Sequence, residues 1–166
     1  MAVTLVLPRP PQSPGEFSRA DLQFRGVDHS GPSYEARVFF DNPEAKPSTP
    51  ATEDEGFAGS FYVFGHGGCF GELGHCDVHE APKGVYDRRL PHPLTPQFKT
   101  VIVTDELRRL MQASGRKKFT VTVVPVVPEN PTSRAPARDP LVFESVSLVV
   151  HQDPTAAGIP LPPVTA

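Results

Sequence analysis

Proline sets the first limit on this chain. There are 21 prolines and 13 glycines among 166 residues. Proline lacks a backbone N–H, and its ring clashes with the preceding turn of a helix. Long helices are therefore excluded over most of the sequence, and short strands joined by turns are favoured. The length suits one domain with one core. Tryptophan is absent, but 11 phenylalanines can fill that core.

Two-residue periodicity marks the strands. Val3–Leu7 is a short one, followed by an extended linker or edge at Pro8, Pro10, Pro11 and Pro14. In Asp21–Val27, Leu22, Phe24 and Gly26 alternate with Asp21, Gln23 and Arg25. Asp28-His29-Ser30-Gly31-Pro32 is a turn cluster with His29 as a surface residue. Tyr34–Phe40 places Tyr34, Ala36, Val38 and Phe40 on one face. The polar stretch Asp41 to Glu55 is long for a connection, which marks it as functional or mobile. Its acids, Glu53 to Glu55, read as solvated.

Phe57–Phe64, Phe98–Val103, Phe119–Val127 and Leu141–Val150 complete the strand pattern. Pro125 and Pro128 put the far end of Phe119–Val127 on an edge or a bulge. One helix is expected over Asp105–Ala113, with Thr104 as N-cap and Gly115 ending it. Leu107, Leu110 and Met111 share one of its faces, and Met111 reads as core. The implied fold is all-β: an antiparallel β-sandwich of about seven strands with one short helix. The expected division is 1–20, an N-terminal strand and Pro-rich segment; 21–151, the sandwich; and 152–166, a loose Pro-rich tail.

Chemistry concentrates in Gly65–Glu80, GHGGCFGELGHCDVHE. It holds both cysteines, Cys69 and Cys76, and the histidines His66, His75 and His79. The order His66-x-x-Cys69 and then Cys76-x-x-His79 is nearly a palindrome. Three readings compete. The two thiolates and two imidazoles of His66, Cys69, Cys76 and His79 can hold copper or zinc, with His75 or His92 as substitutes. Alternatively, Cys69 and Cys76 form a short-loop disulfide, or they remain reduced in a glycine-rich turn.

A formal net charge of −3 makes neither nucleic acid nor an acidic membrane an obvious partner. Short basic groups such as Arg108-Arg109 and Arg116-Lys117-Lys118 read as solvated. The N-terminal apolar run stops at Pro8 and lacks a basic leader, so it does not read as a signal peptide. No run approaches the ~20 apolar residues of a membrane span. A cytoplasmic location follows as the expectation, which weakens the disulfide reading.

Leu94–Val127 contains a strand, a TD-x-L-x-x-L helix from Thr104 to Leu110, and a β-strand reaching Val124-Pro125. This order resembles the C-terminal β-domain of tyrosinases and polyphenol oxidases. Phe57-Ala58-Gly59-Ser60-Phe61 is similar to an earlier strand of that domain, and GHGGC…GHC is similar to a cysteine/histidine loop of microbial tyrosinase-like proteins. The resemblance spans Tyr34 to Val150. It implies an accessory β-domain that packs on, and can shield, a catalytic copper oxidase domain or subunit. Some fungal members use C-terminal cysteines in copper loading, although Cys69 and Cys76 depart from a C-x-x-C pattern.

In that family six histidines on a separate helical domain hold two coppers and oxidise phenols. His29, His66, His75, His79, His92 and His151 do not have the i, i+4 helical spacing of such a bundle. Phenol oxidation by this chain alone is not expected. Two rivals remain. One is a small electron-transfer or metal-delivery protein, since Cys76-x-x-His79 resembles a blue-copper ligand loop. The other is a cysteine-dependent hydrolase, with Asp77 beside Cys76 and His79.

Overall fold

The computed structural model describes residues 1–65, 85–86, 95–128 and 139–152. Seven strands and one α-helix make up the described fold, joined by one short 3-10 turn. The strands are β1 (Val3–Pro8), β2 (Arg19–Val27), β3 (Tyr34–Phe40), β4 (Phe57–Val63), β5 (Gln97–Ile102), β6 (Lys118–Val126) and β7 (Ser145–His151). The helix, α1, spans Thr104–Ala113. One sheet has the order β1-β6-β3-β4 and the other β5-β2-β7. Every pairing is antiparallel. The expected all-β sandwich is the observed fold.

The alternation explains the layers. Leu22 and Phe24 of β2 point inward against Ala36, Val38 and Phe40 of β3 and Phe61 of β4, and all are buried. The rings of Phe24 and Phe61 meet at 4.8 Å between the sheets. Phe143 closes on Phe24 edge-on at 5.6 Å. Removing the Phe24 ring would cost about 3–5 kcal/mol, because its surroundings cannot collapse fully into the space. Gly59 of β4 lies close against Val101 of β5 in the other sheet. A Cβ there would lie 2.7 Å from Val101, and its φ of +135° is one that side chains rarely adopt.

Two proline expectations resolve differently. β1 pairs with β6 only up to Val3↔Val123. Pro125 therefore lies where β6 has β3 on one side and no β1 on the other, which agrees with an edge position. The Pro8–Pro14 segment is strapped down. The Arg108 guanidinium donates to the carbonyls of Phe17 and Pro14 and stacks over the buried Phe17 ring at 5.3 Å. Arg9 reaches the helix end and donates to the Ser114 and Met111 carbonyls at 2.6 and 3.0 Å, satisfying acceptors that α1 leaves open.

The helix departs from its expected caps. Val103 is the N-cap, and Thr104 is already helical; its hydroxyl accepts the Ala20 N–H at 3.0 Å. Ser114, in extended conformation, ends the helix one residue before Gly115. Leu107 and Met111 are buried, as their spacing requires. Arg109 pairs with Glu53 at 2.9 Å and Glu106 at 3.1 Å.

The long loop after β3 is a structural cover. Ala45 packs with Phe39 and Val124 on the outer face of the four-stranded sheet, and Phe57 supports them. Asn42 ties the loop ends together by donating to the Glu55 carbonyl at 2.8 Å. The last strand begins later than its apolar pattern suggests. Gly26, with φ +67°, forms a bulge in β2, and the Glu144 side chain occupies the space beside it. Regular pairing of β7 with β2 therefore starts at Ser145. Among the described residues no helix is long and apolar enough to cross a membrane.

Candidate functional site

Antiparallel pairing gathers the chain's longest connections at one end of the sandwich. Val27, Tyr34, Val63, Gln97, Val126 and Ser145 are strand ends on that side. The excursion bearing both cysteines leaves this end after Gly65 and returns at Thr95. Helix α1 lies at the opposite end, following Ile102 and preceding Lys118.

Both stems of the excursion are tied to the β2–β3 turn. The Gly65 N–H donates to Ser33 Oγ at 3.0 Å. Gly65 also has no room for a side chain: a Cβ would lie 2.2 Å from the Gly31 carbonyl oxygen and 2.3 Å from the Pro32 carbonyl carbon. On the return side His29 Nε2 contacts the Thr95 carbonyl at 3.0 Å. A carbonyl only accepts, so Nε2 carries the hydrogen. His29 is buried, contrary to its expected surface position. The turn itself is held by Asp28, whose carboxylate accepts the Ser30 N–H at 2.8 Å and the Ser30 hydroxyl at 3.0 Å.

Behind the turn lies Tyr34, 3% exposed. Its phenol has no hydrogen-bond partner among the described residues. Burial and then the Asp28 and Asp139 carboxylates push its pKa up from 10.0 to about 12. Asp139 is held below the usual carboxylate range by hydrogen bonding to the terminal ammonium of Met1, 2.8 Å away, and by the Leu141 N–H. Aromatic surface frames the mouth: Phe64 is 80% exposed and Tyr62 is 69% exposed.

His66, Cys69, Cys76, His79, His75 and His92 all lie outside the described residues. The structure fixes the two stems that carry them. Among the described residues no group of three or more His, Cys, Asp or Glu could hold a metal ion. The other histidines expected outside the loop are accounted for: His29 braces the stem, and His151 pairs with Asp21 at 3.3 Å on the opposite end. Met111, considered as an axial copper ligand in the blue-copper reading, is in the core. Sequence patterns overlooked the role of His29 and Ser33, because only the pairing of distant strands brings the turn beside residues 65 and 95.

No family model matches the chain, and no curated protein matches it. Solved structures do share its fold. Recombinant latent aurone synthase, a polyphenol oxidase co-crystallised with hexatungstotellurate(VI), superposes with a TM-score of 0.51 at 15% identity. That match covers 92% of this chain and 24% of the other. Latent aurone synthase from its natural source gives 0.48 at 14% identity, covering 91% and 24%. The chain thus spans about a quarter of the length of the solved proteins it matches. At these identities the likeness is one of fold: an all-β sandwich of the kind carried by a longer polyphenol oxidase.

Proposed function

We propose that this chain is a noncatalytic accessory β-domain of a tyrosinase- or polyphenol-oxidase-like copper protein. It packs on or shields a catalytic partner through the end of the sandwich that carries the Gly65–Glu80 loop. The observation that carries the reading is the fold match over 92% of this chain but only 24% of a polyphenol oxidase. A fold that accounts for so small a share of an oxidase is suited to an accessory part. The exposed Phe64 and Tyr62 at the loop mouth supply apolar contact surface for such a partner.

Within this reading the loop binds copper or zinc through His66, Cys69, Cys76 and His79, with His75 or His92 able to substitute. Two thiolates with two imidazoles form a donor set suited to Zn²⁺ or Cu⁺. The chain's own described residues contribute the support: Ser33 holds Gly65, where the loop begins, and His29 holds Thr95, where the longer connection returns to the sandwich. The test is catechol oxidation by a copper-loaded phenol oxidase catalytic domain, with and without this chain. Suppression of the rate, together with no oxidation by the copper-loaded chain alone above the rate of free copper, supports the reading. Catechol oxidation by the chain alone overturns it.

A further inference from the structure

We propose that the free edge of β7 is a self-association surface, on which a second copy of this chain pairs antiparallel about a two-fold axis at Leu148. β7 is the last strand of its sheet, with β2 on one side. Among the described residues no strand pairs with its other side. Its register with β2 runs unbroken from Ser145 to His151. The strand Ser145–Val150 contains no charge and no proline. Natural edge strands are normally protected by lysines, prolines, bulges or a covering element. Within β7 none of the first three is present.

The direction of the backbone groups selects the register. The His151 carbonyl faces the β2 side, where it accepts the Ser18 N–H at 2.8 Å. The Ala20 carbonyl faces the other way, toward β5, where it accepts the Val103 N–H at 2.9 Å. Arg19 and Asp21 therefore face β7, and their partners His151 and Val149 face back. Alternation leaves the N–H and C=O of Val146, Leu148 and Val150 pointing outward. A two-fold axis at Leu148 sets Leu148 opposite itself and Val146 opposite Val150 of the second copy. All the outward groups are then paired, making six backbone hydrogen bonds across the axis, by the antiparallel pattern.

The side chains suit the same register. Val146, Leu148 and Val150 are only partly buried, although they pack against the core. The second copy would continue their apolar row. On the outer face Ser147 meets Val149 of the second copy, and Ser145 meets His151. No like charges are brought face to face, so self-pairing meets no electrostatic objection. An isologous contact of this kind closes as a dimer and cannot extend further.

Light scattering after size exclusion on the full chain, over a concentration series, is the test. The expected mass is about 36 kDa, twice the 18.0 kDa of one chain. The double variant Ser147→Lys and Val149→Lys should fall to the mass of one chain. Its lysines lie on the outer face, where they spare the core, but each meets a lysine of the second copy. Leu148→Cys should form a disulfide dimer absent from wild type, since hydrogen-bonded antiparallel partners lie ~5.5 Å apart at Cα. A wild-type mass of one chain at all concentrations overturns the proposal. So does a dimer that survives the lysine variant with unchanged circular dichroism.

Discussion

The imidazole of His29 donates from Nε2 to the carbonyl of Thr95 at 3.0 Å, joining the β2–β3 turn to the residue where the cysteine-bearing excursion returns. Because His29 is buried, this bond is shielded from water. Replacing His29 with Ala should destabilise the domain by about 1–3 kcal/mol, since the Thr95 carbonyl loses a partner and a cavity remains. Urea unfolding followed by circular dichroism measures it. A change within about 0.5 kcal/mol, the level of an ordinary surface substitution, would mean that the brace is not needed.

Gly65 and Gly115 make a matched pair of tests. A Cβ at Gly65 would collide with the Gly31–Pro32 backbone, whereas at Gly115 nothing lies within 4 Å. Gly65→Ala should cost roughly 2 kcal/mol or more, because neither backbone segment can give way cheaply. Gly115→Ala should be neutral or stabilise by up to about 1 kcal/mol, through a less flexible unfolded chain. Equal melting temperatures for the two variants would contradict the close approach.

Tyr34 gives a pH signature. Its pKa is raised from 10.0 to about 12 in the folded state, so the folded protein holds this proton more tightly than the unfolded chain. The associated stability is fully present below pH 10.0 and is lost as pH rises through about 12. Absorbance of tyrosinate should show one of the 3 tyrosines ionising late, coincident with unfolding. Because the phenol is buried without a described partner, Tyr34→Phe should be neutral or slightly stabilising, by up to about 1 kcal/mol. It should also remove the late step. A loss above about 2 kcal/mol would show that the hydroxyl has a partner that stabilises the fold.

Arg9 is half-buried and should contribute to stability through its hydrogen bonds. It donates to the carbonyls of both Met111 and Ser114 at the end of α1. Arg9→Ala should lower stability by about 1–2 kcal/mol, and Arg9→Lys should recover only part, since a single ammonium cannot reproduce the fork. Full recovery by lysine would reduce the interaction to charge alone.

The strand positions were legible because a half-buried strand repeats every second residue. Tyr34–Phe40 alternates so cleanly that its bounds are the observed ones. What alternation cannot reveal is the pairing of distant segments. Nothing near His29 in sequence indicates that Thr95 will lie beside it, so a buried brace reads as a surface residue. The loop 41–55 looked functional or mobile because its polar composition hides Ala45, which alone packs with Phe39 and Val124. The helix boundary shifted because Thr104 meets the Ala20 N–H, a tertiary partner, in place of its own helix. For the site, the sequence supplies the donors and the structure supplies the stems at Gly65 and Thr95.

The measurement that tests the central claim most directly is the metal content of the purified full chain, paired with a count of reactive thiols. The account predicts one copper or zinc per chain with Cys69 and Cys76 both protected. The metal should be lost as pH falls, because thiolate ligands must bind protons to leave. Cys69→Ser should abolish tight binding while the circular dichroism of the sandwich stays unchanged. A chain with no metal after exposure to either ion, and with both thiols reactive or joined as a disulfide, would contradict it.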